Sequence, residues 1–218
     1  MKMACSRRGR IEATRHFDAA LATRPDSLPS YDTRDFTPRW SPVEHQVGSF
    51  RLTDQSNHEV SDRDLDGRIH VASFFFASCS SLCPRLLDRL KPVQEAIRGA
   101  SDVVMVSYSV TPALDTPAFP ADFGRRCGVD PAVWQLLTGD VKEIQRLIRG
   151  SYFADDDREI DGRKESRILH SEKVLLVDGA RRIRGAYNGT NPYEVQKLIE
   201  DIATLRGGVG RTVAAAGK

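Results

Sequence analysis

The sequence is poor in cysteine, with four in 218 residues. That is too few for the disulfide lattice of a small secreted domain. It has no run of 18 consecutive apolar residues, so no membrane span is visible. It also lacks an excess of charge of one sign. Thirty-two basic side chains face 30 acidic ones, a net +2, which excludes a general electrostatic grip on nucleic acid. Even that excess is local, because residues 1–50 hold 8 basic and 6 acidic groups and leave 24 of each elsewhere. No internal repeat is present, and only the stretch after Gly207 is low in complexity. Against these absences stand 40% apolar and 28% charged residues, enough to build a packed core. The length fits one ordinary domain with some additional chain.

The first ten residues carry the positive charge of a signal n-region, but no apolar segment follows. Glu12 and Asp18 interrupt the basic character that a mitochondrial presequence needs. Ile11, Phe17, Ala20 and Leu21 could line a short amphipathic helix, and residues 1–27 read as a mobile leader. The other reading is a translation start placed too late, with an export signal upstream and Cys5 as a lipid-attachment cysteine. Lys2, three places before Cys5, fits that poorly.

Residues 25–48 are rich in Pro, Asp, Ser and Thr and read as an extended, wrapping segment. Phe50–Thr53 and Val60 suggest a short hairpin. Ile69–Phe76 and Asp102–Val110 have the length and composition of buried strands. Between them, Leu86, Leu90, Val93 and Ile97 give Pro84–Ala100 a helical period. Strand, helix and strand in that order form a βαβ unit with parallel strands. Residues 111–139 read as turns and a short helix ending near Cys127, and residues 154–164 as a polar, solvated loop. Asp140 and Glu143 start a further helix with Val141, Ile144, Leu147 and Ile148 on its apolar face. Lys173–Val177 and Arg182–Ala186 flank Asp178-Gly179 as an antiparallel hairpin. Asn191-Pro192 starts a last helix, which Gly207-Gly208 should end. This order predicts an α/β, thioredoxin-like fold over residues 28–206, followed by a flexible tail, 207–218. Its central sheet is mixed, helices cover both faces, and an extended N-terminal segment wraps it.

Two cysteines fall where such a layout builds sites, at the C-terminal end of a strand. In Cys79-Ser-Ser-Leu-Cys83-Pro84, Cys83 precedes a favoured first helical residue. A thiolate there gains from unpaired N–H groups and the helix dipole. At helical spacing the two Cα atoms would stand about 6 Å apart, which permits a disulfide or a shared metal. Cys127, before a glycine at a helix end, reads as a small buried apolar residue. A soft copper ion wants two or three thiolate, thioether or imidazole ligands, so the five histidines matter. His16 lies in the leader, and His45 and His58 in wrapping or turn segments. His70 opens the first strand, roughly 20 Å from its far end. His170 precedes a strand that, antiparallel to the first, would begin beside the cysteines. Topology favours His170, yet a lone histidine is more often surface or core, so both readings stand at this point.

Phe74-Phe-Phe-Ala-Ser-Cys79-Ser-Ser-Leu-Cys83-Pro84 resembles the F-x-x-C-x-x-x-C-P motif of the Sco/SenC copper chaperones of cytochrome c oxidase assembly. Leu28-Pro-Ser-Tyr31 with Phe36-Thr-Pro-Arg-Trp40, and Phe50-Arg-Leu-Thr-Asp-Gln55, are similar to two more of its segments. So is His170-Ser-Glu-Lys-Val-Leu-Leu-Val-Asp-Gly179 with Arg184-Gly-Ala-Tyr187. The resemblance covers residues 28–206. It implies a thioredoxin-like fold that binds one copper ion, Cu(I) or Cu(II), through Cys79, Cys83 and His170. It also implies delivery to, or thiol reduction of, the binuclear copper site of an oxidase subunit. It further implies an extracytoplasmic or membrane-associated place, such as the periplasm, for which this sequence shows neither signal nor anchor. One motif departs: the family's D-P-x-x-D-x-P is Thr111-Pro112-Ala-Leu-Asp115-Thr-Pro117 here. One carboxylate near the site is therefore missing, and Asp115 also reads as a helix cap.

Two other functions use the same pair. A thiol–disulfide oxidoreductase would employ Cys79 and Cys83 as redox-active residues, although that chemistry favours C-x-x-C. A copper or redox sensor would report the state of the same site. Peroxide reduction lacks a T-x-x-C segment before the first helix, and structural zinc would want a fourth ligand.

Overall fold

The computed structural model describes residues 28–41, 43–75, 82–110, 118–154, 159–160, 163–164 and 172–215. A five-stranded sheet forms its centre, with the strands in the order Trp134–Leu137, Val103–Ser109, Ile69–Phe75, Lys173–Val177, Ile183–Asn188. Strands β3 (Ile69–Phe75), β4 (Val103–Ser109) and β5 (Trp134–Leu137) are parallel. Strands β8 (Lys173–Val177) and β9 (Ile183–Asn188) add antiparallel to β3 and to each other. The sheet is therefore mixed, as predicted, and the fold is thioredoxin-like.

Every residue of β3 and β4 is buried, because side chains alternate between two covered faces. One face carries Ile69, Val71 and Phe75 and packs with Leu86, Leu90, Phe123 and Leu198. These last come from helices α1 (Leu82–Ala96), α2 (Ala118–Cys127) and α4 (Pro192–Ala215). The other face carries Ala72 and Phe74 and packs with Val47, Phe50, Ile144 and Tyr152. Its cover comprises the N-terminal wrap, the hairpin β1–β2 (Arg51–Thr53, Glu59–Ser61) and helix α3 (Val141–Arg146), which runs into a wider π-turn, Leu147–Ser151. Helices thus lie on both faces.

Both sheet edges are closed by side chains. Gln55 donates from Nε2 to the Trp134 carbonyl at 2.8 Å, and its Oε1 accepts from Leu136 N–H at 2.7 Å. It thereby substitutes for a neighbouring strand along β5. Asp54 turns the hairpin to allow this, accepting from the backbone N–H groups of Ser56 and His58 at 2.8 and 2.9 Å. At the opposite edge Tyr31 bridges Ile183, and buried Arg184 donates to the carbonyls of Leu28 and Pro29 while pairing with Asp178. That arginine pins the predicted wrapping segment. Gly185 beside it must lack a side chain, because a Cβ would overlap the Tyr187 ring. The ring folds back so that its hydroxyl donates to Asp201 at 2.8 Å.

Several predicted boundaries are corrected. Helix α1 starts at Leu82 rather than Pro84. Pro84 remains in the first turn, where a missing N–H costs nothing. The helix ends at Ala96, before Gly99 at φ +79°, and tolerates Pro92 on its exposed side. Strand β5 was not predicted; it is four residues long and lies at the edge. The polar stretch 154–164, read as a loop, contains an antiparallel pair, β6 (Glu159–Ile160) and β7 (Arg163–Lys164). Asp140 caps α3 as expected, accepting from Glu143 N–H at 2.9 Å. Asn191 caps α4, but that helix passes Gly207-Gly208 and reaches Ala215. Glycine lowers helix propensity without forbidding a helix, and Ala214 and Ala215 favour one.

Candidate functional site

The described elements that flank the predicted ligands in sequence, the end of β3 and the start of β8, lie toward one end of the sheet. Cys79 and His170 lie outside the described residues, and Cys83 falls in the first turn of α1. Their points of attachment are described. Strand β3 ends at Phe75, four positions before Cys79, and α1 begins at Leu82. Strand β8 pairs antiparallel with β3, with His70 opposite Val177 and Ala72 opposite Leu175. Its first residue, Lys173, therefore stands toward the C-terminal end of β3, and His170 precedes it by three positions. The same end holds the finish of β4, where Val110 N–H donates to the Phe75 carbonyl at 2.9 Å. Thr111 follows directly and, with Asp115, lies outside the described residues.

The described histidines have other occupations. His70 is wholly buried on the second face. Its Nε2 lies 3.3 Å from the Tyr152 hydroxyl, which is 2.7 Å from that of Tyr108. Burial pulls the imidazole down to a pKa of about 3, offset in part by Asp178. It is a neutral core residue at the far end of β3, as its position in the strand suggested. His58 is exposed, 3.7 Å from Asp54. His45 stacks on Phe153 at 4.5 Å, with Nε2 2.9 Å from the Ser151 carbonyl. His16 and Cys5 lie outside the described residues. Cys127 is a free, half-buried thiol against the first core, with its pKa raised by burial. Among the described residues no group of three His, Cys, Asp or Glu could hold a metal ion. No described helix is long and apolar enough to cross a membrane.

Sequence reasoning missed an aromatic junction beside the start of β8. Phe36 and Phe153 both adopt left-handed backbone, at φ +51°. For a bulky side chain this costs roughly 1–3 kcal/mol. Phe153 ends the π-turn: Tyr152 N–H donates to the Leu147 carbonyl and Ala154 N–H to that of Ile148, both at 2.9 Å. Glycine usually fills such a position. The Phe153 ring instead meets Phe36 edge-on at 6.5 Å and the His45 ring. Lys173 Nζ sits 4.3 Å from the centre of the Phe36 ring and donates to the Phe153 carbonyl at 3.3 Å. A cleft of about 350 Å³ opens alongside, lined by Phe36, Glu172, Lys173, Tyr187 and Glu194 among others.

The sequence model of the SCO1/SenC family matches residues 40–206. The SCO1 protein homolog of Bacillus subtilis is 26% identical over 163 residues, covering 74% of this chain and 83% of its own length. Among solved structures, a SCO1/SenC family lipoprotein from Bacillus anthracis superposes with a TM-score of 0.65 at 25% identity. That match covers 76% of this chain and 98% of the other. Copper-bound ScoI of Bradyrhizobium japonicum superposes with a TM-score of 0.57 at 26% identity, covering 73% of this chain and 99% of that one.

Proposed function

The chain belongs to the SCO1/SenC family, and on that premise we propose that it is a copper metallochaperone. It takes up one copper ion on Cys79, Cys83 and His170. It delivers the ion to, or prepares the thiols of, the binuclear copper site of a cytochrome c oxidase subunit. The observation that supports this reading is the antiparallel register of β8 on β3. By that register Lys173, three positions after His170, stands toward the end of β3, which finishes four positions before Cys79.

The chemistry of the donor set agrees. Two thiolates and an imidazole suit a soft monovalent copper ion, and the imidazole adds affinity for Cu(II). Three donors rather than four leave a position through which an acceptor's ligand can enter and take the cargo. The first turn of α1 contains no acidic side chain. Nothing there offsets the positive helix end, which favours a thiolate at Cys83. The same pair would serve thiol–disulfide exchange or sensing, and the histidine separates those readings from copper delivery.

Anaerobic titration against a chromophoric Cu(I) chelator tests the assignment. Wild type should bind one ion. Cys79→Ser and Cys83→Ser should each lose more than about 100-fold in affinity, beyond the cost of losing an outer-shell partner. Cys127→Ser should match wild type, and one-to-one tight binding in Cys83→Ser would refute the site. His170→Ala should lose Cu(II) far more than Cu(I), and its dithiol exchange should survive because that uses sulfur alone. If delivery is the role, biological activity fails in this variant; if dithiol reduction is the role, it persists.

A further inference from the structure

We propose that the free edge of β9 is a docking site for an extended segment of a partner polypeptide that carries a basic side chain. The register of the β8–β9 hairpin shows which backbone groups of that edge are open. Gly189 N–H donates to the Glu172 carbonyl at 2.7 Å, so these two residues form a hydrogen-bonded pair. Antiparallel pairing alternates from there. Val174 and Tyr187 bond each other, whereas Ala186, opposite Leu175, and Asn188, opposite Lys173, turn their backbone groups outward. The outward groups on either side of Ala186 are already taken. Tyr31 of the N-terminal wrap donates its N–H to the Ile183 carbonyl at 3.0 Å. Asn188 N–H donates to Glu194 Oε2 at 2.6 Å, and the Asn188 carbonyl accepts from Asn191 N–H at 3.1 Å. Among the described residues nothing closes the N–H and carbonyl of Ala186.

Ala186 lines the cleft of about 350 Å³, together with residues of the wrap, the hairpin and the start of α4. That volume lies in the range of ligand pockets. An extended chain in the cleft would set one residue opposite Ala186 at strand spacing, about 4.8 Å away, and exchange two backbone hydrogen bonds with it. Open sheet edges are recognised by other chains in this way. A second copy of the folded domain fits less well, because Tyr31 and Glu194 bracket the open residue. A single segment is narrow enough to enter between them. The lining then selects its side chains. Phe36 and Tyr187 supply apolar walls. The lining cation, Lys173, is engaged by the Phe36 ring at 4.3 Å and by the Phe153 carbonyl at 3.3 Å. Glu172 and Glu194 accept from Asn188 and Asn191. With about four lone-pair sites each, both carboxylates keep acceptors for a further donor. Two carboxylates against one engaged ammonium make the cleft acidic, which favours a basic side chain on the incoming segment.

The probe is the blocked peptide acetyl-Val-Lys-Val-amide, titrated into the isotope-labelled full chain and read from the backbone amide shifts. The Ala186 amide should move saturably, with half-saturation on the order of 1 mM, as suits so small a contact. Acetyl-Val-Glu-Val-amide should bind at least about fivefold more weakly through charge. The lysine peptide methylated on its lysine backbone nitrogen should lose as much, because it cannot donate to the Ala186 carbonyl. Glu172→Gln should weaken the lysine peptide by about threefold and leave the glutamate peptide no weaker. Ala186→Pro removes the outward N–H without touching the ladder to β8, a change that edge strands tolerate, and should cost about fivefold. If that variant misfolds, the methylated peptide tests the same edge on the unaltered protein. Equal affinities for the three peptides, or shifts that spare Ala186, would overturn the proposal. So would movement of the Ala186 amide on raising the protein concentration alone, which would assign the edge to a second copy. Copper takes no part in the readout, so failure here leaves the copper reading intact.

Discussion

Acid should destabilise this protein through His70. The imidazole is wholly buried, and its pKa falls from the ordinary 6.5 to about 3. The first cause is loss of water around a charge. Asp178 opposes it, while Arg68 and Arg181 add to it. Folding thus keeps His70 neutral, whereas the unfolded chain takes a proton below pH 6.5. The stability tied to this group is fully present above that pH and is lost as pH falls toward 3. For one such group the loss relative to pH 8 is about 2 kcal/mol by pH 5, and approaches about 5 kcal/mol below pH 3. In a domain of this size 2 kcal/mol lowers the melting temperature by about 4–8 °C.

Other groups titrate in the same range, so the quantity to measure is a difference. Urea denaturation of wild type and His70→Leu would be followed at several pH values from 8 to 5. The leucine cannot take a proton, and Tyr152 keeps its contact with the Tyr108 hydroxyl at 2.7 Å. The variant's stability at pH 8 does not enter the argument; its dependence on pH does. Between pH 8 and 5 it should lose about 2 kcal/mol less than wild type. His70→Gln should behave the same way. Parallel curves for all three proteins would refute the reasoning, because His70 would then be titrating alike in the folded and unfolded states.

Two further outcomes follow from the site and the sheet edge. Without copper, oxidation should link Cys79 to Cys83 reversibly and block copper uptake; mass spectrometry that found Cys79 joined to Cys127 would contradict the proposed pairing. Arg184→Met should cost about 3 kcal/mol by chemical denaturation, the low end for breaking a buried pair, because Asp178 keeps Arg182 at 2.8 Å. The same variant should expose residues 28–41 to proteolysis, and a loss below about 0.5 kcal/mol with unchanged proteolysis would show that Arg184 does not pin the wrap.

Strands β3 and β4 were legible because burial on both faces makes a strand apolar at every position. Helices α1, α3 and α4 were legible because one buried stripe imposes a period of 3.6. Strand β5 escaped because four residues beside a turn show neither signal. The pair β6–β7 escaped because its charges suggested solvent, although Asp161-Gly162 is a strong hairpin sequence. Phe50–Gln55 was visible as a motif, but that Gln55 seals an edge strand 79 positions away was not. The junction of Phe36, His45, Phe153 and Lys173 left no local trace, since its partners are far apart in sequence and two of them violate local preference. For the site, the sequence carried the topology, and the register of β8 on β3 agrees with it.

The corrected start of α1 changes the argument for Cys83 without removing it. The sequence suggested a cysteine just ahead of the helix, with Pro84 as the first helical residue. In the structure Leu82 is first, so Cys83 is second and Pro84 third. The first four N–H groups of a helix have no partner within it. Pro84 carries no N–H, so this end has one donor fewer than an ordinary helix. A thiolate here would receive the dipole's stabilisation with fewer direct hydrogen bonds to its sulfur. The dipole and the free N–H groups act in the same direction, each lowering the proton affinity of a thiol at the helix end. The proline therefore weakens the expected stabilisation of a thiolate at this helix end, and a lowered thiol pKa then rests on the dipole and on the absence of an acidic side chain in the first turn.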